Sequence, residues 1–226
     1  MADGLLRIAS YNIHRCIGAD RSCSPGRVAA VIRELQCDTI GLQEVSNTTG
    51  GSGEALQMEY LAKETGLAAV PGKYINRYQG DYGSILLTSR PVLSIERHDL
   101  TFSSREGRSA LDVELDVDGV PTRVILTHLG LGLGERRAQV RKILSLVVAK
   151  TRREPVVLLG DINEWLPRGR PLRWLHKEFG RPPAPRSFPA RFPILSLDRI
   201  WVRPRYALKS VTVHRSALAR VASDHL

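Results

Sequence analysis

Apolar residues along this chain come in short unbroken runs, and a polar residue stands at the end of most of them. The run Val156-Val157-Leu158-Leu159, bounded by Pro155 and ending in Gly160, predicts a strand buried on both faces. Asp161 and Asn163 follow where that strand leaves the core, and they point the same way if the extended conformation continues through Ile162. An Asx turn closing the strand accounts for the same residues on local grounds. Residues 5–13 predict a strand ending in Asn12 and His14, and residues 38–45 a second buried strand with Glu44 at its far end. A carboxylate in that position is costly unless hydrated, paired or metal-bound, although alone it also reads as an ordinary surface residue. Residues 82–88 and 92–100 predict two strands paired with each other across Ser89-Arg90-Pro91.

From Arg108 onward, Leu111, Val113, Leu115 and Val117 alternate with polar residues, the pattern of a half-buried antiparallel strand. Asp118-Gly119 supplies a hairpin turn, and the return strand, 122–126, ends in Thr127-His128. A last strand over 195–202 carries Asp198 near its start, and 206–213 is expected to pair with it. Helical spacing separates these strands. Ser24 caps a helix with Pro25 at its first position, and Val28, Val31, Ile32 and Leu35 repeat through it to Gln36. Further helices are predicted over 56–65, 134–150 and 170–179. In the 134–150 helix Val140, Ile143, Leu144, Val147 and Val148 form the apolar face, which leaves Arg136, Arg137, Arg141 and Lys142 as a solvated one. Residues 47–53 and 180–193 read as irregular loops.

At 226 residues the chain suits one domain, 1–226. Its charge narrows the choice of partner: Lys+Arg 33 against Asp+Glu 23 gives +10, a balance that favours nucleic acid, anionic lipid headgroups or phosphorylated small molecules. Cys16, Cys23 and Cys37 are odd in number and lack metal-ligand spacing, so they read as reduced thiols. Neither a signal peptide nor an integral membrane segment is recognised, and the expectation is a cytoplasmic monomer.

Asn12, Glu44, His128 and Asp161 with Asn163 each follow an apolar strand at its C-terminal end, whereas Asp198 lies at a strand start and needs an antiparallel neighbour to join them. Two mixed sheets packed face to face, with helices outside, would bring them to one rim. Tyr11-Asn12-Ile13, Leu42-Gln43-Glu44-Val45, Leu126-Thr127-His128-Leu129, Gly160-Asp161-Ile162-Asn163, Leu197-Asp198-Arg199-Ile200 and Ser223-Asp224-His225 resemble, in order and over nearly the whole chain, the motifs of the endonuclease/exonuclease/phosphatase superfamily. That superfamily includes deoxyribonuclease I, abasic-site endonucleases, neutral sphingomyelinases and inositol polyphosphate 5-phosphatases. The resemblance is strongest to small bacterial members. It implies an α/β fold, the four-layered αββα sandwich of two mixed, mostly antiparallel sheets, and metal-dependent phosphoester hydrolysis.

The resemblance also implies roles. Glu44 would be the principal Mg²⁺ or Mn²⁺ ligand, with Asn12 and Asp224 completing or adjoining that site, because a hard cation prefers carboxylate oxygen. Asp161 would orient and deprotonate the attacking water, and Asn163 would hold a phosphate oxygen. His225 paired with Asp198 is similar to the family's His–Asp couple, His128 to its leaving-group histidine, and Arg108 to its phosphate-contacting arginine, though Arg108 also reads as a surface strand charge. Ile13-His14 departs from the acidic residue that abasic endonucleases carry after the strand Asn, which argues against abasic-site repair. The family continues past its final Asp-His into one more strand, while only Leu226 follows here. The resulting expectation is a phosphodiester hydrolase with nucleic acid as the leading substrate. A phospholipid or small-molecule phosphoesterase is the alternative, and a non-catalytic nucleic-acid-binding module the second. A lipid enzyme needs an exposed apolar lip, for which Trp165, Leu166, Trp174 and Leu175 are available, although they read more simply as core.

Overall fold

The computed structural model describes residues 5–46, 57–73, 82–149 and 154–226. A four-stranded sheet holds β1 (Ile8–Asn12), β2 (Thr39–Ser46), β3 (Ala68–Pro71) and β4 (Tyr82–Thr88) in the order β1-β2-β4-β3. A five-stranded sheet holds β5 (Val92–Asp99), β6 (Ser109–Val117), β7 (Val120–His128), β8 (Val156–Asp161) and β9 (Asp198–Arg203) in sequence order. The pairs β1/β2 and β7/β8 are parallel and the rest antiparallel. The helices are α1 (Pro25–Leu35), α2 (Gln57–Thr65), α3 (Leu133–Ala149), α4 (Arg170–Phe179) and a short α5 (Ala219–Ala222).

Strand alternation builds the layers. In β8, Val157 and Leu159 enter the core between the sheets with Val124, Leu126, Leu111 and Val113, while Val156 and Leu158 face the other way. There they meet Ile143 and Val147 of α3 and Leu172 and Leu175 of α4. Ile40 and Leu42 of β2 likewise turn from the other sheet onto Val28, Val31 and Ile32 of α1. The result is the αββα sandwich that the motif order implies. Gly41 lets the sheets approach, since a Cβ there would stand 2.5 Å from a Leu126 methyl and 2.7 Å from a Leu159 methyl.

Several expectations need correction. β4 and β5 do not pair; they belong to different sheets. Ser89-Arg90-Pro91 crosses between the layers, and Arg90 grips Asp38 (3.2 Å) on one side and Asp118 (2.7 Å) on the other. Alternation tells which way a side chain faces, and not which strand lies beside it. The expected strand over 206–213 is also absent: after Pro204, which has no N–H to donate, the chain turns in a short 3₁₀ segment, Arg205–Ala207, and forms no ladder. β3 is four residues ending in a proline, too short for a periodic signal. The expected loop at 47–53 lies outside the described residues. Among the described residues, no helix is long and apolar enough to cross a membrane.

Candidate active site

The strand registers do the assembling. His128 of β7 lies opposite Asp161 of β8, and Asp161 opposite Asp198 of β9, so three adjacent strands deliver three polar side chains to one line. Asp198 joins them from a strand start because β9 runs antiparallel to β8. From the other sheet, parallel pairing sets Asn12 beside Gln43, one residue short of Glu44. A register shift between Leu42 and Val45 puts Glu44 in the left-handed region, at φ 58°, and turns it toward the rim. Such a backbone is strained for a residue with a side chain, and strain of this kind collects at functional sites.

Asn12 joins the two sheets. Its side-chain amide donates to Glu44 Oε1 at 3.2 Å and to Asp161 Oδ2 at 3.1 Å, while its Oδ1 accepts the His14 amide at 3.1 Å. The Ser223 hydroxyl donates to the Asn12 carbonyl at 2.7 Å, which anchors the terminal Ser223-Asp224-His225 to β1. Asp161 is also approached by His128 Nε2 at 3.6 Å and His225 Nε2 at 3.8 Å. His225 turns its Nδ1 to Asp198 Oδ2 at 2.8 Å, and that same oxygen accepts the Ser187 hydroxyl at 2.6 Å. The Phe188 ring covers the imidazole, 4.7 Å between centroids.

Burial and charge tune this line. Burial, helped by the nearby Asp198 charge, pushes the Asp161 carboxyl up to about 7 against the opposing pull of His225, the Asn163 amide and Asn12. For His225, burial disfavours the charged ring, but the carboxylates of Asp198, Asp161 and Asp224 outweigh it and raise the imidazole to about 10. His128 goes the other way: burial, then the charges of Arg108 and His225, hold it well below the ordinary histidine range. One histidine is kept charged and the other neutral, on either side of one carboxylate.

Not every expected residue is placed as its role suggests. Asn163 does not continue the extended strand; its φ is +51° and its backbone N–H caps Asp161 Oδ1 at 2.9 Å, which is the Asx-type closure. Its side-chain amide donates to the Leu129 carbonyl at 2.9 Å and ties the β7 and β8 ends together. Asp224 stands beside His14, 3.7 Å from Nδ1, on the margin of the cluster. Arg108 is no surface charge: it is buried, 3.4 Å from His128 Nδ1 and paired with Glu106 at 3.1 Å. Arg136, expected on a solvated face, is buried against Glu164 at 3.3 Å and also donates to the Leu131 carbonyl. Trp165 and Leu166, read as core, are exposed, while Leu175 is buried as expected.

No role was expected for Ser187, whose hydroxyl positions Asp198, or for Lys73, which lines a cleft with Glu44, Ser84, Arg108, Ser109 and His128. Neither sits in a periodic or strand-end pattern; only the fold brings them here. Oxygen ligands for a hard divalent cation are present: Glu44 Oε1 and Asp161 Oδ2 converge on one Asn12 amide, and the Glu44 side chain is 24% exposed, open to the waters such an ion retains. Asp161, Asp198 and His225 also bring potential ligand atoms within 4.8 Å of one another. Asp198 Oδ2 already takes two hydrogen bonds, so that trio suits proton handling, and the Glu44 side suits the cation. A second group, Glu96, His98 and Asp112, lies away on the five-stranded sheet, where Arg123 grips both Asp112 oxygens and supplies the cation.

Residues 9–225 match the family model described as Endonuclease/Exonuclease/phosphatase family. The chain belongs to that family. Among curated relatives, the uncharacterized protein YbhP of Escherichia coli (strain K12) is 26% identical over 215 residues, covering 87% of this chain and 84% of YbhP. Among solved structures, an endonuclease/exonuclease/phosphatase from Beutenbergia cavernae superposes with TM-score 0.79 at 23% identity, over 97% of this chain and 69% of that one. D. rerio TDP2 complexed with single strand DNA product superposes with TM-score 0.69 at 18% identity, over 97% and 95%. At such identities the structural likeness establishes the shared fold, and the family membership establishes a chain related to hydrolytic phosphoesterases.

Proposed function

We propose that this endonuclease/exonuclease/phosphatase family member is a divalent-metal-dependent phosphodiester hydrolase that works by in-line attack of water. The observation that carries this reading is the line of His225, Asp161 and His128, with Glu44 joined to Asp161 through Asn12. Glu44, with Asn12 and Asp224 adjoining, would hold Mg²⁺ or Mn²⁺. Such an ion supplies positive charge to a phosphate oxygen as negative charge grows there. Asp161, with its carboxyl near 7, is poised to take a proton from the attacking water around neutral pH. His225, kept charged by Asp198, faces the phosphate as an imidazolium and stabilises the crowded oxygens. His128, held neutral, and Arg108 would serve the leaving-group side, and Asn163 would give a phosphate oxygen the one amide hydrogen that the Leu129 carbonyl does not take.

The charge of +10 supports a polyanionic substrate, with nucleic acid first. One observation favours a second reading, a phospholipid headgroup: Trp165 and Leu166 stand exposed beside Asn163. The non-catalytic module is disfavoured, because clustered carboxylates repel phosphate unless a cation joins them. Thiols of Cys16, Cys23 and Cys37 outside any disulfide agree with a cytoplasmic setting.

The test is turnover of bis-p-nitrophenyl phosphate, plasmid DNA, single-stranded DNA, RNA and phospholipids with Mg²⁺ or Mn²⁺, beside Asp161→Ala and His225→Ala. Metal-dependent hydrolysis lost in both variants is expected. No hydrolysis of any substrate, with salt-sensitive DNA binding retained, would move the assignment to a binding module.

A further inference from the structure

The loops around the catalytic rim expose apolar side chains that the reaction does not use. Leu131 (69% exposed) and Leu133 (53%) follow β7, Trp165 (56%) and Leu166 (57%) follow β8, and Phe192 (71%) and Ile194 (64%) precede β9. These loops are neighbours. β7 and β8 run parallel, and the Leu129 amide donates to the Asp161 carbonyl at 2.9 Å. Arg136 binds both the Leu131 carbonyl and Glu164, joining the first loop to the second. The Ile162 amide reaches the Leu197 carbonyl at 2.9 Å, and the Phe192 loop is closed by a bridge between Phe188 and Leu195. Phe188 itself lies on the His225 ring, so this loop borders the catalytic line directly.

The charge on the same loops has one sign. Over residues 101–107, 130–134, 164–170 and 188–195, the exposed charged side chains are Arg105, Arg168, Arg170 and Arg191. The two acids there are engaged: Glu164 is buried on Arg136, and Glu106 binds Arg108. Exposed apolar side chains gathered on adjoining loops mark an interaction surface. Four of these six are aliphatic, and an aliphatic side chain offers a nucleobase no face to stack on. Exposed aliphatic and aromatic side chains with arginines on the same loops match the boundary between headgroups and acyl chains of an anionic bilayer, a layer that indole also favours.

We propose that this rim is a docking surface for an anionic phospholipid bilayer, seating the catalytic line at the headgroup layer. The proposal rests on the reading above only for where the site lies. Its test is therefore a binding measurement without turnover, on the whole chain in EDTA. Vesicles of phosphatidylcholine, with and without phosphatidylglycerol, are sedimented with wild type, Trp165→Ser/Leu166→Ser and Arg168→Gln/Arg191→Gln. Partitioning onto the anionic vesicles is expected, weakened about 10-fold or more in each double variant, while hydrolysis of soluble bis-p-nitrophenyl phosphate, assayed separately with Mn²⁺, is unchanged. Brominated acyl chains are expected to quench tryptophan emission, and Trp165→Phe to abolish that quenching while binding persists. No partitioning, or partitioning indifferent to Trp165→Ser/Leu166→Ser, would overturn the proposal. So would tight, salt-dependent binding of DNA that displaces the protein from vesicles. A protein that docks on vesicles yet hydrolyses no phosphoester would keep this inference and remove the reaction.

Discussion

His225 turns its Nδ1 onto Asp198 Oδ2 at 2.8 Å, and this contact fixes which nitrogen faces Asp161 and keeps the ring charged. Asp198→Asn removes the charge but keeps the shape. Burial then acts on His225 with less opposition, so the imidazolium is lost at lower pH. The expected result is a kcat lower by about 100-fold and an alkaline limb of the pH–rate profile displaced to lower pH. Kinetics from pH 6 to 10 and NMR titration of His225 measure both; an unmoved limb would show that Asp198 does not set this charge.

Asp161 makes the metal-free protein sensitive to pH. Its folded carboxyl, at about 7, lies above the ordinary aspartate value of 3.8, so the fold prefers the protonated form. Stability from this group is fully present below about pH 4 and is lost as pH rises through about 7. Wild type in EDTA is expected to lose several degrees of Tm between pH 5 and 8, and Asp161→Asn to lose less while being inactive. Equal slopes in the two proteins would contradict the assignment.

Glu44 holds a left-handed backbone, at φ 58°, where the register shift in β2 turns its side chain toward the rim. Glycine adopts that conformation without strain, so Glu44→Gly is expected to gain about 1 kcal/mol of stability in EDTA. It is expected to weaken Mn²⁺ binding by about 100-fold, as loss of a principal oxygen ligand should. Calorimetric titration with Mn²⁺ and denaturant unfolding report the two effects separately.

The Arg136–Glu164 pair is buried under the loops that follow β7 and β8. Glu164→Gln leaves the guanidinium uncompensated and is expected to cost about 3 kcal/mol. Arg136→Met with Glu164→Leu is expected to recover much of that, because two apolar groups need no partner. Urea unfolding of the single and double variants tests the coupling.

Much of this site could be read from the chain alone. An apolar strand ending in a polar residue is a local pattern, and Asn12, Glu44, His128 and Asp161 each carry it. Pro25 behind a capping serine, and the apolar spacing of α1 and α4, place helices for equally local reasons. What the fold decided depends on contacts between segments far apart in sequence. Alternation could not say that β4 and β5 part into different sheets, since it encodes faces and carries no partner. Helical spacing could not say that Arg136 is buried, because its partner Glu164 lies a strand away. Nor could an apolar residue in a loop declare itself core or rim: Trp165 and Leu166, on the loop after β8, are exposed, and only the packing of the other elements decides that. The residue types of the chemistry were thus set locally, by strands that end in polar groups. Their common line, their charges and their apolar surround arose from register and burial, which exist only once the sheets have packed.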